Sequence, residues 1–194
     1  NQIEPWIDFK EALHVKKIVN KTFLTENLET KRFEENLKKK FKAKNCITVS
    51  NWTAGIFMCL KAIGIKPGDE VIVPNITFIA TATPIIWLGA KVVLCEVNQE
   101  NLSINLDVLK KLITRKTRCI IPVHLYGHCC DIHKLKKIVS KKKIVIIEDA
   151  AQSMGAKFKK KFLGTITDFG GFSFYGNKII TTGEGGAIFF KEKK

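Results

Sequence analysis

Several features that mark other protein classes are missing from this 194-residue chain. It has no apolar run near the roughly 18 residues that a membrane-spanning helix needs. It also does not begin with the basic and apolar stretches of a secretory signal. Apolar residues nevertheless make up 45% of the sequence, which suits a packed core and argues against a disordered class. We therefore predict a soluble, cytoplasmic protein that does not bind membranes.

Arginine is scarce although the chain is strongly basic. Only three of the 33 basic residues are arginines, and the formal net charge is +15. Nucleic-acid interfaces favour arginine, which forms paired hydrogen bonds with bases and phosphates. The lysines are also spread along the chain rather than concentrated beside aromatic residues. We predict no specific nucleic-acid partner, and the positive field instead favours small anionic substrates.

The six cysteines do not form the patterns of zinc sites or redox motifs. No CxxC is present, and four cysteines lie in apolar stretches, where cysteine acts as a small hydrophobic residue. This usage favours a reduced, cytosolic compartment. His128, Cys129, Cys130 and His133 lie close together in sequence, but adjacent cysteines lack the usual zinc spacing. We predict no metal site.

Apolar patterns of two kinds alternate along the chain and predict an α/β fold. Helical periodicity predicts helices at 28–41, 53–63, 106–113 and 132–139. Short apolar runs predict seven strands, at 46–49, 70–73, 91–97, 119–123, 144–147, 170–174 and 186–190. Several of these runs are apolar throughout, as in strands covered on both faces. The prediction is one layered domain over residues 1–194, with helices on both faces of a mostly parallel seven-stranded sheet.

Polar residues follow the predicted strand at 144–147, at the edge where ligands of parallel sheets bind. Glu148 and Asp149 come directly after this strand, and Gln152 lies three residues beyond Asp149. A carboxylate in this place can face a cationic ring nitrogen. Helix capping by Asp149 is an equally good interpretation of the segment alone.

The segment TVSNWTAG leads from a predicted strand directly into a helix. Amides at the helix N-terminus, together with Ser50, Asn51 and Thr53, suit a bound anion such as phosphate. Ordinary helix capping is the simpler alternative. Neither GxGxxG nor a P-loop sequence is present, so dinucleotide and P-loop sites are not predicted.

Lys178 stands apart from the lysine runs of the chain, among aromatic, apolar and glycine residues. Desolvation in such surroundings lowers the pKa of a lysine and makes its neutral amine available as a nucleophile. A lysine whose amine simply reaches solvent is the alternative. Ser173 lies five residues earlier, where its hydroxyl can bind a phosphate. An imine-forming amine, a phosphate cradle and a carboxylate partner are together what pyridoxal phosphate (PLP) requires.

Five segments that contain these residues resemble the DegT/DnrJ/EryC1/StrS family, the PLP-dependent sugar aminotransferases of fold type I. The segments are PGDEVIVPNITFIATATPI (67–85), GAKVVLCEVN (89–98), IIPVHLYGHCCDI (120–132), IEDAAQSMGA (147–156) and FSFYGNKIITTGEGGAI (172–188). They occur in the order found in the family. The third and fifth most resemble the GDP-perosamine synthase branch and related 4-amino-sugar enzymes.

The resemblance implies roles for individual residues. Lys178 matches the lysine that binds PLP covalently as an imine and later transfers the proton. Asp149 matches the aspartate that faces the pyridine nitrogen, and Gln152 matches the glutamine near the 3-oxygen of the ring. The other implied cofactor contacts are Ser173, Thr53 and Ala54 at the phosphate and Phe78 stacked on the ring.

The resemblance also implies a reaction. Glutamate would donate an amino group to a nucleotide-linked 4-keto-6-deoxy sugar, giving an amino sugar for polysaccharide or glycan synthesis. Family members are longer, so the chain is expected to be the PLP-binding large domain without the small C-terminal domain. In the family, the active site is completed in a homodimer. Lys178 argues against the branch that carries histidine at this position and performs dehydration.

Trp52 departs from the family pattern, which usually has a small residue such as glycine there. Glycine lets a backbone approach phosphate closely, so Trp52 is expected to weaken the phosphate turn.

Two alternative functions remain open from the sequence. One is an aminotransferase acting on a 3-keto sugar or an N-acetylated UDP-sugar. The other is a non-catalytic remnant of the same fold, which Trp52 favours and the intact Lys178 and Asp149 oppose.

Overall fold

The computed structural model describes residues 5, 7–21, 24–25 and 27–191, and its centre is a seven-stranded sheet. The strands along the chain are β1 (Asn45–Val49), β2 (Glu70–Pro74), β3 (Lys91–Cys95), β4 (Thr117–Ile120), β5 (Val145–Asp149), β6 (Lys157–Phe158), β7 (Lys161–Phe162), β8 (Phe169–Ser173) and β9 (Gly186–Phe190). The sheet order is β1-β9-β8-β5-β4-β2-β3, and β6 and β7 form a separate small hairpin.

Six of the seven strands run in the same direction. The pairs β2–β3, β2–β4, β4–β5 and β5–β8 are parallel, whereas β9 is antiparallel to both of its neighbours, β8 and β1. Because β8 and β9 are antiparallel neighbours, the chain returns from one to the other through a loop, residues 174–185, at the carboxyl end of β8. That loop contains Lys178.

Within the described residues, six α-helices accompany the sheet: α1 (Phe9–Val19), α2 (Leu28–Phe41), α3 (Trp52–Ala62), α4 (Thr83–Trp87), α5 (Leu106–Leu112) and α6 (Ile132–Val139). Side chains cap several of them, because the first amides of a helix lack intrahelical partners. Asn27, Asn51, Asn105 and Asp131 accept hydrogen bonds from backbone amides at the starts of α2, α3, α5 and α6. Short 3₁₀ turns lie at Ile79–Thr81 and Leu125–Gly127.

Apolar side chains cover both faces of the sheet. Val71 and Val73 of β2 pack in one cluster with Leu60 of α3, whereas Ile72 between them packs in another with Leu109 of α5. Alternate residues of a strand point to opposite faces, so residues 71–73 of β2 are all apolar although they do not share a face. Phenylalanines form a third cluster between α2, β8 and β9, where Phe41 lies edge-on to Phe172 with ring centroids 4.7 Å apart.

The predicted fold class and elements are confirmed. All four predicted helices and all seven predicted strands are present; some ends coincide and none is shifted by more than three residues. The sequence patterns missed α1, the five-residue α4 and the β6–β7 hairpin, of which the latter two are too short for periodicity to detect. Among the described residues, none of the helices has both the length and the apolar character needed to cross a membrane.

Candidate active site

A cavity of about 480 Å³ opens at the carboxyl edge of the sheet, a volume within the range of small-molecule sites. Six of the seven residues assigned to the cofactor site from the sequence line it: Thr53, Phe78, Asp149, Gln152, Ser173 and Lys178. Ala54 does not line it; its amide donates to Asn51 Oδ1 at 2.9 Å within the helix cap.

The sheet topology explains why these residues converge. Strand β5 ends at Asp149 and β8 ends at Ser173, and the two are parallel neighbours. Helix α3 begins shortly after β1, which runs in the same direction as β8. The carboxyl ends of all three strands therefore meet at one edge, where ligands of such sheets bind.

The carboxylate of Asp149 is buried and held by three donors. Oδ1 accepts the indole N–H of Trp52 at 2.8 Å and the Ala151 amide at 3.2 Å, and Oδ2 accepts the Thr81 hydroxyl at 2.7 Å. Residues 151–155 form turns rather than a helix, so Asp149 is not a helix cap. Asp149 instead lines the cavity.

Lys178 lies in the loop between β8 and β9 and lines the same cavity. Burial lowers the pKa of its ammonium group, and attraction to the Asp149 carboxylate opposes that shift. A larger fraction of the amine is therefore neutral at a given pH than for an exposed lysine. This is the state in which a lysine can act as a nucleophile or as a base.

Two further polar groups suit the outline of PLP. The amide oxygen of Gln152 is buried without a hydrogen-bond partner among the described residues, although a polar atom in such a place normally has one. The Ser173 hydroxyl accepts the Tyr175 amide at 3.3 Å and also lines the cavity, near the start of α3. An unpaired amide, a hydroxyl, a buried carboxylate and a desolvated lysine fit a cofactor with a phosphate, a cationic ring nitrogen and an aldehyde.

Trp52 lines the cavity, but most of its side chain is enclosed by the protein. Its side chain is 4% exposed, points into the protein and ends at Asp149. The expected weakening of the phosphate turn concerns the approach of the backbone and stays a prediction; the Ala54 amide in this turn is already occupied by Asn51 Oδ1.

The sequence analysis missed Thr81, whose hydroxyl donates to Asp149 Oδ2. The hydroxyl oxygens of Thr81 and Thr77 are 2.8 Å apart. Thr81 is one of three threonines between positions 77 and 83, so the sequence alone does not single it out. Tyr175, Asn177 and Glu184 also line the cavity.

Glu148, the neighbour of Asp149, forms hydrogen bonds within the core instead. Its carboxylate is fully buried and accepts His124 Nε2 at 3.0 Å and the amides of Gly164, Ile166 and Thr167 at 2.7–2.9 Å. Burial acts to raise the pKa of Glu148, but the hydrogen bond and charge of His124 together with the amide donors leave that pKa below its ordinary value.

The histidines and cysteines do not assemble a metal site in the part of the chain that the structure describes. Instead, His133 packs edge-on against Phe158, with ring centroids 5.2 Å apart. All six cysteines are free thiols, and burial raises the pKa of Cys130 to about 12.

A largely parallel sheet with this cavity at its carboxyl edge defines an α/β domain of the PLP-dependent aminotransferase type. A desolvated lysine and a buried carboxylate in one small cavity support that class. The chain belongs to the DegT/DnrJ/EryC1/StrS aminotransferase family, whose sequence profile matches residues 5–194.

Individual relatives agree with this assignment. The chain is 36% identical to GDP-perosamine synthase of Escherichia coli O157:H7 over 191 residues, which are 98% of the chain and 52% of that protein. The PLP-form of Spr1654 from Streptococcus pneumoniae superposes with a TM-score of 0.90 at 30% identity, covering 98% of this chain and 53% of Spr1654. E. coli GDP-4-keto-6-deoxy-D-mannose-3-dehydratase with bound hydrated PLP gives a TM-score of 0.92 at 28% identity, covering 98% and 50%.

The chain spans about half the length of the curated relatives it matches. Solved relatives that share this fold contain PLP, which agrees with the prediction of this cofactor.

Proposed function

We propose that the chain is the large, PLP-binding domain of an aminotransferase that makes a nucleotide-linked amino sugar. The acceptor would be a 4-keto-6-deoxy sugar and the amino donor glutamate. The observation that carries this proposal is the convergence of Lys178, Asp149 and Gln152 in one cavity. The substrate class is supported by relatives of 36–38% identity from three bacteria, all GDP-perosamine synthases.

Each cavity residue would bind a different part of the cofactor. Lys178 would hold it covalently, Asp149 would accept the ring N–H, and Gln152 would use its unpaired amide. Thr53 and Ser173 would bind the phosphate, and Phe78, which is 73% exposed at the cavity, offers an aromatic face for the ring.

When bound, PLP supplies an electron sink that stabilises negative charge at the carbon next to the amino group. The protein must then keep the ring nitrogen protonated, and the buried Asp149 carboxylate would do so because an adjacent anion favours the cationic form. Lys178 would move the proton, taking it as the neutral amine and returning it as the ammonium. The lowered pKa of Lys178 brings both states closer to neutral pH.

A homodimer would complete this site. Phe78, Tyr175, Ile179 and Ile180 are at least 47% exposed around or beside the cavity, where a second chain can cover them. The substrate contacts of the remaining half of such an enzyme would come from outside this chain. Residues 1–194 would thus act as one domain of a larger assembly.

Lys178 favours amino transfer over dehydration. The dehydratase from E. coli shares the fold at a TM-score of 0.92, so the fold does not distinguish the two reactions. A lysine amine can both hold PLP and move the proton. The dehydrating branch of the family carries histidine at the position that Lys178 matches.

The first test is covalent trapping of PLP on Lys178. The purified chain is mixed with PLP, reduced with borohydride, digested and mapped by mass spectrometry. We expect a visible absorption band before reduction and a single modified peptide that contains Lys178. Lys191 is the matched internal control, because burial also lowers the pKa of its amine but it does not line the cavity. Equal modification of both lysines, or modification that survives in Lys178→Ala, would contradict the proposed site.

The second test addresses the reaction. A version extended to the length of the relatives is loaded with PLP and given glutamate and a GDP-linked 4-keto-6-deoxy sugar. We expect 2-oxoglutarate and an amino sugar in equal amounts. Release of ammonia with a 3-deoxy product would instead indicate dehydration.

A further inference from the structure

The indole ring of Trp52 occupies space that two glycines leave open. A Cβ atom at Gly55 of α3 would lie 2.7 Å from Cε3 of Trp52, and one at Gly171 of β8 would lie 2.1 Å from its Cζ3. Contacts this short do not occur between real side chains. The ring is therefore wedged between helix and strand on the side of these two glycines, and Trp52 also lines the cavity.

The wedged ring directs its only donor at the Asp149 carboxylate. The distance from Trp52 Nε1 to Asp149 Oδ1 is 2.8 Å, and both residues are buried. A carboxylate oxygen has two lone pairs. Those of Oδ1 are used by Trp52 and the Ala151 amide, whereas Oδ2 accepts only the Thr81 hydroxyl from the described part of the chain. One acceptor position therefore remains, and it belongs to Oδ2.

We propose that Trp52 is a positioning residue that holds Asp149 in its working orientation before the cofactor binds. Its fixed N–H anchors Oδ1, and Oδ2 is left to accept the cationic ring nitrogen. This inference rests on the proposed function, in which Asp149 is the partner of that nitrogen. A preorganised carboxylate avoids the loss of rotational freedom on binding, so PLP binds more tightly.

The cofactor-free chain tests the contact itself. Indole N–H signals are recorded by ¹H–¹⁵N NMR and assigned with Trp52→Phe and Trp87→Phe. We expect the Trp52 proton to exchange slowly with solvent and to shift in Asp149→Asn. Trp87, which is 60% exposed, should exchange fast and stay unchanged in the same spectra. A Trp52 proton that exchanges as fast as that of Trp87, or that ignores Asp149→Asn, would overturn the proposal.

A double-mutant cycle then tests the consequence for the cofactor. Trp52→Phe keeps an aromatic ring in the space but removes the N–H. We expect it to weaken PLP binding about tenfold, as for loss of one hydrogen bond to a charged group. In the Asp149→Asn background the same change should have little further effect, because Trp52 acts through Asp149.

The outcomes of the cycle separate positioning from packing. An equal loss in both backgrounds would assign Trp52 to packing alone and overturn the proposal. If the wild-type chain binds no PLP, the proposed function fails for this chain, and the indole exchange experiment still decides whether Trp52 holds Asp149.

Discussion

Glu148 and Asp149 are adjacent in β5, yet their carboxylates have no hydrogen-bond partner in common. Glu148 accepts His124 and three loop amides in the core, whereas Asp149 accepts Trp52, Thr81 and Ala151 at the cavity. Successive side chains of a strand point to opposite faces, so two neighbouring acids serve different parts of the molecule. Glu148 stabilises the loop 163–168, and Asp149 lines the cavity.

Loss of the Glu148 contacts should destabilise the fold in a pH-dependent way. Glu148→Gln replaces an acceptor by an amide that cannot accept from all of the donors, and we expect a loss of about 3 kcal/mol in the free energy of unfolding at pH 7. The pKa of Glu148 in the folded chain is below its ordinary value of 4.5. Its ionised form therefore stabilises the fold above that pH, and this contribution is lost as the pH falls below it.

Urea unfolding of both proteins between pH 7 and pH 3 is the measurement. The difference between wild type and Glu148→Gln should shrink on the acid side. A difference that stays constant across this range would mean that the charge of Glu148 contributes nothing.

Because Trp52 packs against Gly55, the effect of Gly55→Ala on stability should change sign when Trp52 is removed. In the wild-type chain, Gly55→Ala forces a Cβ to within 2.7 Å of the indole and should cost about 1–3 kcal/mol. In Trp52→Ala the space is empty, and the same change should stabilise the chain by about 1 kcal/mol, because alanine is the better helix former. Thermal unfolding of the four proteins measures both effects. The same sign in both backgrounds would show that the ring does not occupy this space.

The lowered pKa of Lys178 should be visible in its reactivity. Because the Asp149 carboxylate acts to raise that pKa, Asp149→Asn should lower it further. The pH at which an amine-reactive reagent half-labels Lys178 should then move to a lower value in the variant. Labelling is followed by peptide mapping across a pH series on cofactor-free protein.

Lys191 provides the comparison within the same digest. Burial also lowers the pKa of Lys191, but the carboxylates that act on it are Glu148 and Asp168, not Asp149. Its labelling curve should be the same in both proteins. A shift of both lysines, or of neither, would disprove the coupling between Lys178 and Asp149.

The cysteines should be almost inert while the chain is folded. Five of the six are buried, and Cys129 is partly exposed, with burial raising the pKa of its thiol to about 11. We expect an aromatic disulfide reagent to modify at most Cys129 in the native chain and all six in denaturant. Rapid native reaction of two or more thiols would show that the apolar clusters open more easily than the structure indicates.

Strand β5 and the loop 174–185 show best which features could be predicted from the sequence. The unbroken apolar run before Glu148 predicts a buried strand, and the isolation of Lys178 marks it as unusual; both depend only on neighbours along the chain. The resemblance of whole segments to a known family then placed PLP beside them. By contrast, α4 and the hairpin β6–β7 have too few residues for a pattern, and contacts across the fold rather than local preference account for them.

The sequence by itself determined the layered α/β class, the carboxyl edge as the place of the site, and six side chains that line the cavity. The fold class and the edge follow from local periodicity and from the rule that parallel strands end at a common edge, whereas the resemblance to a known family implied the set of six side chains. Only the tertiary structure showed that Glu148 is enclosed in the core, that Thr81 binds Asp149, and that Trp52 turns onto Asp149. Those outcomes depend on strand register and on the space left by Gly55 and Gly171, which residues far apart in the chain create together.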